Sequence, residues 1–294
     1  MKHLSTRLEQ HIFPLLCFAA VLNALLPPVI VSLKTMDLTD SLITGFGHSH
    51  VIWLCLVVAM KLTYQTRNQN KAIHPGTGLL LLMASLLLVI PSATLSWLIC
   101  ITLALFWRYQ KDSTTDAQLA AVILIAIAVR DPVCQSFLHL FAQPILAFDA
   151  WISSMILILI NNPATVSGNT VTLAGGINDG HSLLILTGCS AFTNLSLALL
   201  LWFTFTLYHQ QYFLKQDYLR AVLLVSLILT LNGTRLAMMA IDESWYHLLH
   251  EGRSQEVLEF LTIVIALICI RRSSHHENTT DTQHPADRVD HRPV

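Results

Sequence analysis

Charged residues are scarce in this 294-residue chain. Asp, Glu, Lys and Arg together make up 12% of the sequence, whereas hydrophobic residues make up 54%. A soluble domain carries about 25% charged residues. Several apolar stretches also reach the ~20 residues that a helix needs to cross a bilayer. The composition excludes an ordinary soluble domain and predicts an all-α polytopic membrane protein.

Other absences narrow the classes of function. The net charge is only −1, and no basic patch alternates with aromatic residues as a nucleic-acid-binding surface requires. The six cysteines include no CxxC pair or other close spacing. The sequence therefore predicts no nucleic-acid partner, no disulfide framework and no zinc site. It also contains no internal repeat.

The apolar stretches predict about eight transmembrane helices, at residues 13–33, 44–63, 77–91, 92–107, 117–131, 188–208, 221–241 and 255–271. The third and fourth are short and meet near Pro91, which indicates a tight helical hairpin. The first lacks an A-x-A-like exit, so we interpret it as a membrane anchor rather than a cleaved signal peptide.

One apolar segment, residues 133–161, is harder to assign because Pro144 and Asp149 interrupt it. A single crossing there would separate the two loops that flank the candidate site described below. We therefore expect an interfacial or re-entrant element with both ends on the outer side.

Charge distribution predicts the orientation in the membrane. With the N-terminus inside, the outer segments hold only four of the seventeen Lys and Arg residues, namely Lys34, Arg130, Arg235 and Arg253. This is a strong positive-inside signal. Both termini are expected in the cytoplasm, and Arg130 is expected to pair locally with Asp131 at an outer helix end.

The same pattern divides the chain into three parts. Residues 1–131 are predicted as N-terminal transmembrane helices, and residues 132–272 as a catalytic membrane region with outer loops. Residues 273–294 are polar and lack apolar periodicity, which is typical of a disordered cytoplasmic tail.

The outer loop at residues 162–187 contains two short extended stretches around Gly168 and Asn169. A Gly-Asn turn between such stretches is typical of a β-hairpin. An exposed extended element directly before a reactive residue is suited to holding a peptide by backbone pairing. A plain connecting loop is an equally good interpretation of this pattern.

Arg235 lies inside an otherwise uncharged membrane segment. A guanidinium at the bilayer centre costs from about 3 to more than 10 kcal/mol, so it indicates a functional site. The alternative is a structural cation that snorkels to the headgroups, about 10 Å away. Asn232, three residues earlier on the same helix face, either orients the guanidinium or a substrate carbonyl, or packs between helices.

Cys189 opens the apolar run that follows the outer loop. In the first turn of a helix, the dipole and unpaired backbone N–H groups favour a nucleophilic thiolate. The same N–H groups are suited to stabilising an oxyanion. The alternative is one more buried membrane cysteine, but the other five lack a helix-start context.

Two histidines, His247 and His250, lie in the short loop after Arg235 and are candidate proton donors. A solvated loop histidine is the alternative interpretation of each. The pair formed by His48 and His50 lacks acidic or thiol partners in the sequence, which argues against a metal site there.

With these residues in place, the chain resembles the exosortase/archaeosortase family of polytopic membrane cysteine enzymes. The resemblance covers about residues 141–269. Its motifs are a Cys-Ser pair at a helix start, an N-x-x-R motif and an outer-loop histidine, matched here by Cys189 and Ser190, Asn232 and Arg235, and His250, with His247 as the open alternative. Family members commonly read Cys-Ser-Gly-x-Arg, where this chain has Ala191 and Thr193.

The resemblance implies a cysteine peptidase or transpeptidase that cleaves the C-terminal sorting signal of exported proteins at the outer face of the cytoplasmic membrane. Cys189, Arg235 and His250 are the implied catalytic residues, and Ser190, Asn232 and His247 are supporting or substrate-binding residues. Sorting signals and membrane lipid are the implied partners, and no metal or organic cofactor is implied. The alternatives are a membrane transporter and a non-catalytic assembly factor for surface or polysaccharide export.

Overall fold

The computed structural model of the chain describes residues 2–65, 75–110, 114–174, 181–210, 213–250 and 254–277. Its helices are α1 (Lys2–Thr35), α2 (Leu38–Ile43), α3 (His50–Gln65), α4 (Pro75–Leu87), α5 (Ala93–Arg108), α6 (Thr115–Leu140), α7 (Ala142–Leu159), α8 (Ala191–Gln210), α9 (Lys215–Ile241), α10 (Glu243–His250) and α11 (Ser254–Glu277). Three short strands complete the fold: β1 (Ala164–Ser167), β2 (Thr170–Leu173) and β3 (Ser182–Leu184).

Long apolar helices dominate this architecture. Among the described residues, five are long and apolar enough to cross a membrane by length and composition: Ile12–Thr35, Thr115–Leu140, Ala142–Leu159, Ala191–His209 and Lys215–Ile241. Shorter apolar helices lie at His50–Gln65, Gly78–Leu87 and Ala93–Arg108. The predicted all-α polytopic membrane protein is confirmed.

Two hydrophobic clusters hold the helices together. The larger one joins α1, α3, α5, α6 and α8 along their length, with contributions from α4, α9 and α11. The smaller one joins α7, β2, β3 and the last turns of α9, and it includes Cys189. The candidate nucleophile therefore lies where the sheet covers one end of the bundle.

The predicted β-hairpin is confirmed. β1 and β2 pair antiparallel, with Ser167 opposite Thr170, and Gly168 in the turn has a positive φ of 59°. Only glycine adopts that conformation at little cost. β3 adds to β2 as a third, antiparallel strand that the sequence did not predict.

The interruptions predicted at Pro144 and Asp149 are wrong, and the break within residues 133–161 lies at Phe141 instead. α6 continues through Pro132 to Leu140, and α7 runs as one helix through Pro144 and Asp149. Pro144 lies in the first turn of α7, where a backbone N–H has no intrahelical acceptor to lose. Asp149 is tolerated because its carboxylate is hydrogen-bonded to the start of α8.

Both ends of this segment contact the same end of the bundle. At its start, the Phe137 ring stacks on Phe192 of α8 with centroids 6.0 Å apart. At its end, Leu157 packs in the cluster that contains Cys189. The placement of both ends on the outer side stays a prediction, and α7 is itself long enough to cross a membrane.

Several helix boundaries differ from the predicted ones. α3 begins at His50 rather than at residue 44, because a 3₁₀ turn at Gly45–Gly47 precedes it and Phe46 has a positive φ of 58°. α9 begins at Lys215, six residues early, because Asp217 accepts a hydrogen bond from the Leu214 N–H at 2.9 Å. α6 and α11 also run past their predicted ends.

The remaining predictions on organisation have mixed outcomes. The hairpin of short helices near Pro91 is present, with the Ser92 side chain capping α5. α11 reaches Glu277, past the predicted start of the tail at residue 273, and residues 278–294 lie outside the described part of the chain. The division at residues 131 and 272, and the cytoplasmic placement of both termini, stay predictions.

The predicted orientation makes Thr170 extracytoplasmic and Tyr109 cytoplasmic. We expect an impermeant maleimide to label Thr170→Cys in intact cells, and Tyr109→Cys only after permeabilisation. The background retains Cys189, which is buried, and replaces the other five cysteines with alanine. Labelling of position 170 only after permeabilisation would contradict the orientation and place the site on the cytoplasmic side.

Candidate active site around Cys189

Cys189 lies in a short turn rather than in a helix. It is the last residue of a 3₁₀ turn, Thr187–Cys189, and α8 begins two residues later at Ala191. Its side chain is only 5% exposed. The predicted position in the first turn of α8 is therefore corrected by two residues.

Ser190 immediately precedes α8 and caps the N-terminus of this helix. Its backbone is extended (φ −67°, ψ 141°), and its Oγ accepts a hydrogen bond from the Phe192 N–H at 3.2 Å. This is the geometry of a helix N-cap. The same Oγ donates to Asp149 Oδ2 at 2.7 Å. Ser190 thus fixes the helix start directly beside the thiol.

Asp149 is a buried residue of the site that the sequence analysis did not assign to it. It is 3% exposed, and its Oδ2 accepts hydrogen bonds from Ser190 Oγ and from the Ala191 N–H at 3.2 Å. A carboxylate at a helix N-terminus is stabilised by the dipole and by unpaired N–H groups. The available signal was the carboxylate itself, placed inside an apolar run.

The backbone N–H groups near Cys189 are already used as donors. The acceptors are all within the protein: Leu186 O for Cys189 N, Thr187 O for Ser190 N, Asp149 Oδ2 for Ala191 N and Ser190 Oγ for Phe192 N. The expectation that these groups stabilise an oxyanion is therefore not supported by this arrangement. The N–H groups of residues 189–192 therefore leave the stabilisation of developing negative charge to other donors, among which is the nearby Arg235 side chain.

Asn232 holds the backbone of the candidate nucleophile. It lies on α9, is 1% exposed, and its Nδ2 donates to the Cys189 carbonyl at 3.1 Å. Because only the amide nitrogen can donate to a carbonyl, this bond fixes the amide orientation. The Asn232 Oδ1 is buried without a hydrogen-bond partner among the described residues. Neither role predicted for Asn232 included this contact with Cys189.

Gly233 brings α9 close to α7. A Cβ at this position would lie 2.5 Å from Ile152 Cγ2 of α7, which is closer than two carbon atoms that are not bonded to each other can approach. The absence of a side chain therefore allows the contact between the two helices. This packing accompanies the contacts that Asp149 on α7 and Asn232 on α9 both make with residues 189–191.

The Arg235 side chain is buried inside the protein, three residues after Asn232 on α9. It is 7% exposed, and its Nε and Nη2 donate to the Leu249 carbonyl at 3.1 and 2.8 Å. A side chain that snorkels to headgroups would be exposed. With Nε and Nη2 on one acceptor, the orientation of the planar guanidinium is fixed. For Nη1, no acceptor is found among the described residues.

The electrostatics of the Cys189 thiol are set by opposing influences. Burial raises its pKa above the ordinary value, and the Arg235 guanidinium lowers it. The Asp149 carboxylate raises it as well. Arg235 is therefore the group that favours the thiolate at this site.

The two candidate histidines have different surroundings. The His247 side chain is 57% exposed, and its Nε2 lies 4.0 Å from Oε1 of Glu243, one turn earlier on α10. His250 directly follows Leu249, whose carbonyl binds Arg235, so its backbone is next to the guanidinium. The side chain of His250 lies outside the described part of the structure. The backbone arrangement favours His250 over His247 as the histidine of the site.

A cavity of about 570 Å³ adjoins the site. Gly188, Ser190 and Arg235 contribute to its lining together with residues of α3, α6 and α11. Glu259 of α11 accepts hydrogen bonds from Ser49 Oγ and the His50 N–H at 2.8 and 2.7 Å. Within the described residues, no group of three His, Cys, Asp or Glu side chains is arranged to hold a metal ion.

Arg130 lies beside the first turn of α8, close to where the motif of the similar family has arginine. It donates from Nε to Ser196 Oγ at 3.0 Å and from Nη2 to the Thr193 carbonyl at 3.3 Å. Its predicted pairing with Asp131 is confirmed. A guanidinium from α6 is thus present at the position where Thr193 departs from that motif.

Replacing Asp149 with asparagine is expected to slow substrate processing about tenfold. Ser190 and Ala191 would then donate to a neutral oxygen, and hydrogen bonds to a charged acceptor are stronger than those to a neutral one. The change also removes a negative charge that raises the Cys189 pKa. Alkylation of Cys189 should therefore reach half its maximal rate at a lower pH than in the wild type. Both rates are measured in detergent-solubilised protein with the other five cysteines replaced.

Asp131→Asn is the matched control. Asp131 pairs with Arg130, whereas Ser190 Oγ and the Ala191 N–H donate to Asp149. It should leave the pH dependence of alkylation unchanged. If Asp149→Asn also leaves both the pH dependence and the processing rate unchanged, Asp149 does not position the nucleophile.

A family model described as transmembrane exosortase matches residues 44–271 of the chain. The match includes Cys189, Asn232, Arg235 and the end of α10. No curated protein and no solved structure matched the chain.

Proposed function

Since the chain belongs to the transmembrane exosortase family, we propose that it is a membrane cysteine peptidase or transpeptidase that cleaves the C-terminal sorting signal of exported proteins. Family membership supports a sorting-enzyme role in the membrane. The residues around Cys189 support the finer assignment of the reaction.

The observation that carries this proposal is the convergence of three side chains from two separate helices, α7 and α9, on the Cys189 turn. Asp149 of α7 binds the adjacent N-cap, Asn232 of α9 binds the Cys189 carbonyl, and Arg235 lowers the pKa of the thiol. A buried cysteine with a purely structural role needs none of these contacts. Together they fix the position of the sulfur, and among them Arg235 favours the ionised form, which is the nucleophile, against the effect of burial, which raises the pKa of the thiol.

In the proposed reaction, the Cys189 thiolate attacks the scissile carbonyl carbon and forms a carbon–sulfur bond. The carbonyl oxygen takes up negative charge, which the Nη1 group of Arg235 stabilises. The C–N bond then breaks, and the leaving amine takes a proton from His250, which leaves a thioester on Cys189. An acceptor amine, or water, then loses a proton to His250 as it attacks the thioester, and the carbon–sulfur bond breaks, which restores the Cys189 thiolate and protonated His250.

Arg235 is the preferred oxyanion donor for two reasons. The backbone N–H groups of residues 189–192 already have acceptors. The guanidinium is buried and held by the Leu249 carbonyl, so its position is preorganised and water competes little for it. We place this site at the outer face of the cytoplasmic membrane, where exported proteins and lipid are both accessible.

The proposal is tested with an exported reporter protein that ends in a short motif, an apolar span and a basic end, taken from the same proteome. Cells that produce the chain should release a reporter shortened between the motif and the apolar span, as measured by mass spectrometry. Cells without the chain should keep it at full length. A reporter that stays intact in both, across all such C-termini of the proteome, would refute the peptidase assignment.

A further inference from the structure

β3 is an edge strand of the sheet, and the backbone groups on its outer edge have no partner among the described residues. The hydrogen bonds at the two ends of β3 involve alternate residues: the His181 carbonyl accepts from the Leu173 N–H at 3.0 Å, and the Ile185 N–H donates to the Asn169 carbonyl at 2.9 Å. In an antiparallel pair, the residues between such positions point their N–H and C=O groups the other way. Ser182 and Leu184 therefore direct these groups away from the sheet.

The side chains of β3 hold this edge in one register. Leu183 and Ile185 are buried in the cluster around Cys189, at 5% and 1% exposure. Leu184 and Leu186 point the other way and are 57% and 55% exposed. A slip of one residue would exchange the two faces, so the same backbone groups are always presented.

This edge leads directly to the candidate nucleophile. β3 is followed by Ile185 and Leu186, the Thr187–Cys189 turn and α8. Apart from its two chain neighbours, no described residue has a heavy atom within 4 Å of the position that a Cβ of Gly188 would occupy, so this side of the turn is open to an approaching chain. Exposed strand edges bind extended peptides by adding them to the sheet, with alternate side chains setting specificity.

The direction of such a peptide follows from chain geometry. Here the chain passes from an extended strand into α8, an apolar helix long enough to cross a membrane. A substrate of the proposed function likewise passes from an extended segment into its apolar anchor. Two chains that enter the membrane from one face in the same N-to-C order run parallel.

We propose that the substrate segment preceding the apolar anchor adds to the outer edge of β3 as a fourth, parallel strand. Backbone pairing at Ser182–Leu186 carries the scissile peptide bond to the Cys189 turn and lays the substrate anchor alongside α8. Leu184 and Leu186 flank the added strand, so alternate apolar substrate side chains fit this face. This inference rests on the proposed function.

Disulfide cross-linking measures the register and direction. The enzyme has all six cysteines replaced by alanine and carries either Leu184→Cys or Leu186→Cys, and the reporter carries single cysteines along the segment before its anchor. For a parallel strand, the best reporter position moves two residues toward the C-terminus between the two enzyme variants. Leu183→Cys, on the buried face, is the control and should give no cross-link.

Three outcomes overturn the proposal: a shift toward the N-terminus, no reporter cross-link at either position, or cross-links only between two copies of the enzyme. The measurement does not need catalysis, because Cys189 is absent. A failure of the peptidase assignment is thus seen as an uncut reporter with the wild type, independently of the cross-links.

A second test removes one backbone donor. Leu184→Pro eliminates the outward N–H, while the residues that bond β2 keep theirs, and the extended backbone before it tolerates proline. Processing should slow about tenfold, the effect of one lost hydrogen bond. Leu184→Ala keeps the N–H and loses only the side chain, so Leu184→Pro should process about tenfold more slowly than Leu184→Ala. Equal rates for the two variants would exclude pairing through this group.

Discussion

Replacing Cys189 with alanine is expected to reduce substrate processing to the background of cells that lack the protein. Alanine cannot form the thioester, and no other thiol replaces it. The other five cysteines are buried within helices of the fold: Cys17, Cys55, Cys100, Cys134 and Cys269. None of these five lies in a turn that is held by side chains from two other helices. The rate of reporter shortening in intact cells measures the effect.

The matched control is the variant with all five other cysteines replaced by alanine, which should process the reporter within a few-fold of the wild-type rate. Both variants are first shown to insert at equal levels. A Cys189→Ala variant with a normal rate would exclude the cysteine-enzyme assignment and favour a transporter or a non-catalytic assembly factor.

Replacing Arg235 with lysine is expected to slow processing at least about 100-fold, the cost of losing one preorganised oxyanion donor. Arg235 uses two of its nitrogens to hold the Leu249 carbonyl, which leaves Nη1 for the developing charge. The single ammonium of lysine cannot make both contacts in one planar arrangement. Folding and insertion should be normal, because the positive charge is kept.

The pH dependence of the processing rate separates two effects of Arg235, namely lowering the pKa of the Cys189 thiol and stabilising the oxyanion. Its charge lowers the pKa of the Cys189 thiol, so Arg235→Gln should move the rise in processing rate to higher pH. Arg235→Lys keeps the charge and should lower the rate with little change in that midpoint. A correctly inserted lysine variant with near-normal turnover would remove Arg235 from the catalytic residues.

Those parts of the fold that depend on local sequence were predictable. The apolar runs gave the membrane helices, since a bilayer requires about 20 apolar residues for a crossing. The hairpin followed from Gly168 and Asn169, because few residue pairs adopt the tight turn that joins two strands. Cys189, Asn232 and Arg235 were singled out for the same reason, since each is an unusual residue in its segment.

The parts that depend on contacts distant in sequence were not predictable. Asp149 lies 41 residues from Ser190, and the pattern around it suggested only an interruption of an apolar run. Its hydrogen bonds to the start of α8 explain both the uninterrupted α7 and the position of the helix start. Likewise, the β3 pairing and the contact of Arg235 with Leu249 arise from packing of separate elements.

The position of Cys189 illustrates the limit most clearly. Sequence alone favoured the first turn of a helix, with its N–H groups available. The observed 3₁₀ turn instead uses those groups internally and presents the thiol from a strand-to-helix connection. A shift of two residues thereby moves the expected oxyanion donor from the backbone to Arg235.

The central claim is that Cys189 carries the substrate as a thioester, and it is tested most directly by capturing that species. Enzyme and reporter are mixed, quenched in acid and digested, and the peptide containing Cys189 is analysed by mass spectrometry. The account predicts a Cys189 peptide joined to the new C-terminus of the reporter, released by neutral hydroxylamine and absent from Cys189→Ala. Cleavage of the reporter without any such adduct, or with the adduct on another residue, would contradict it.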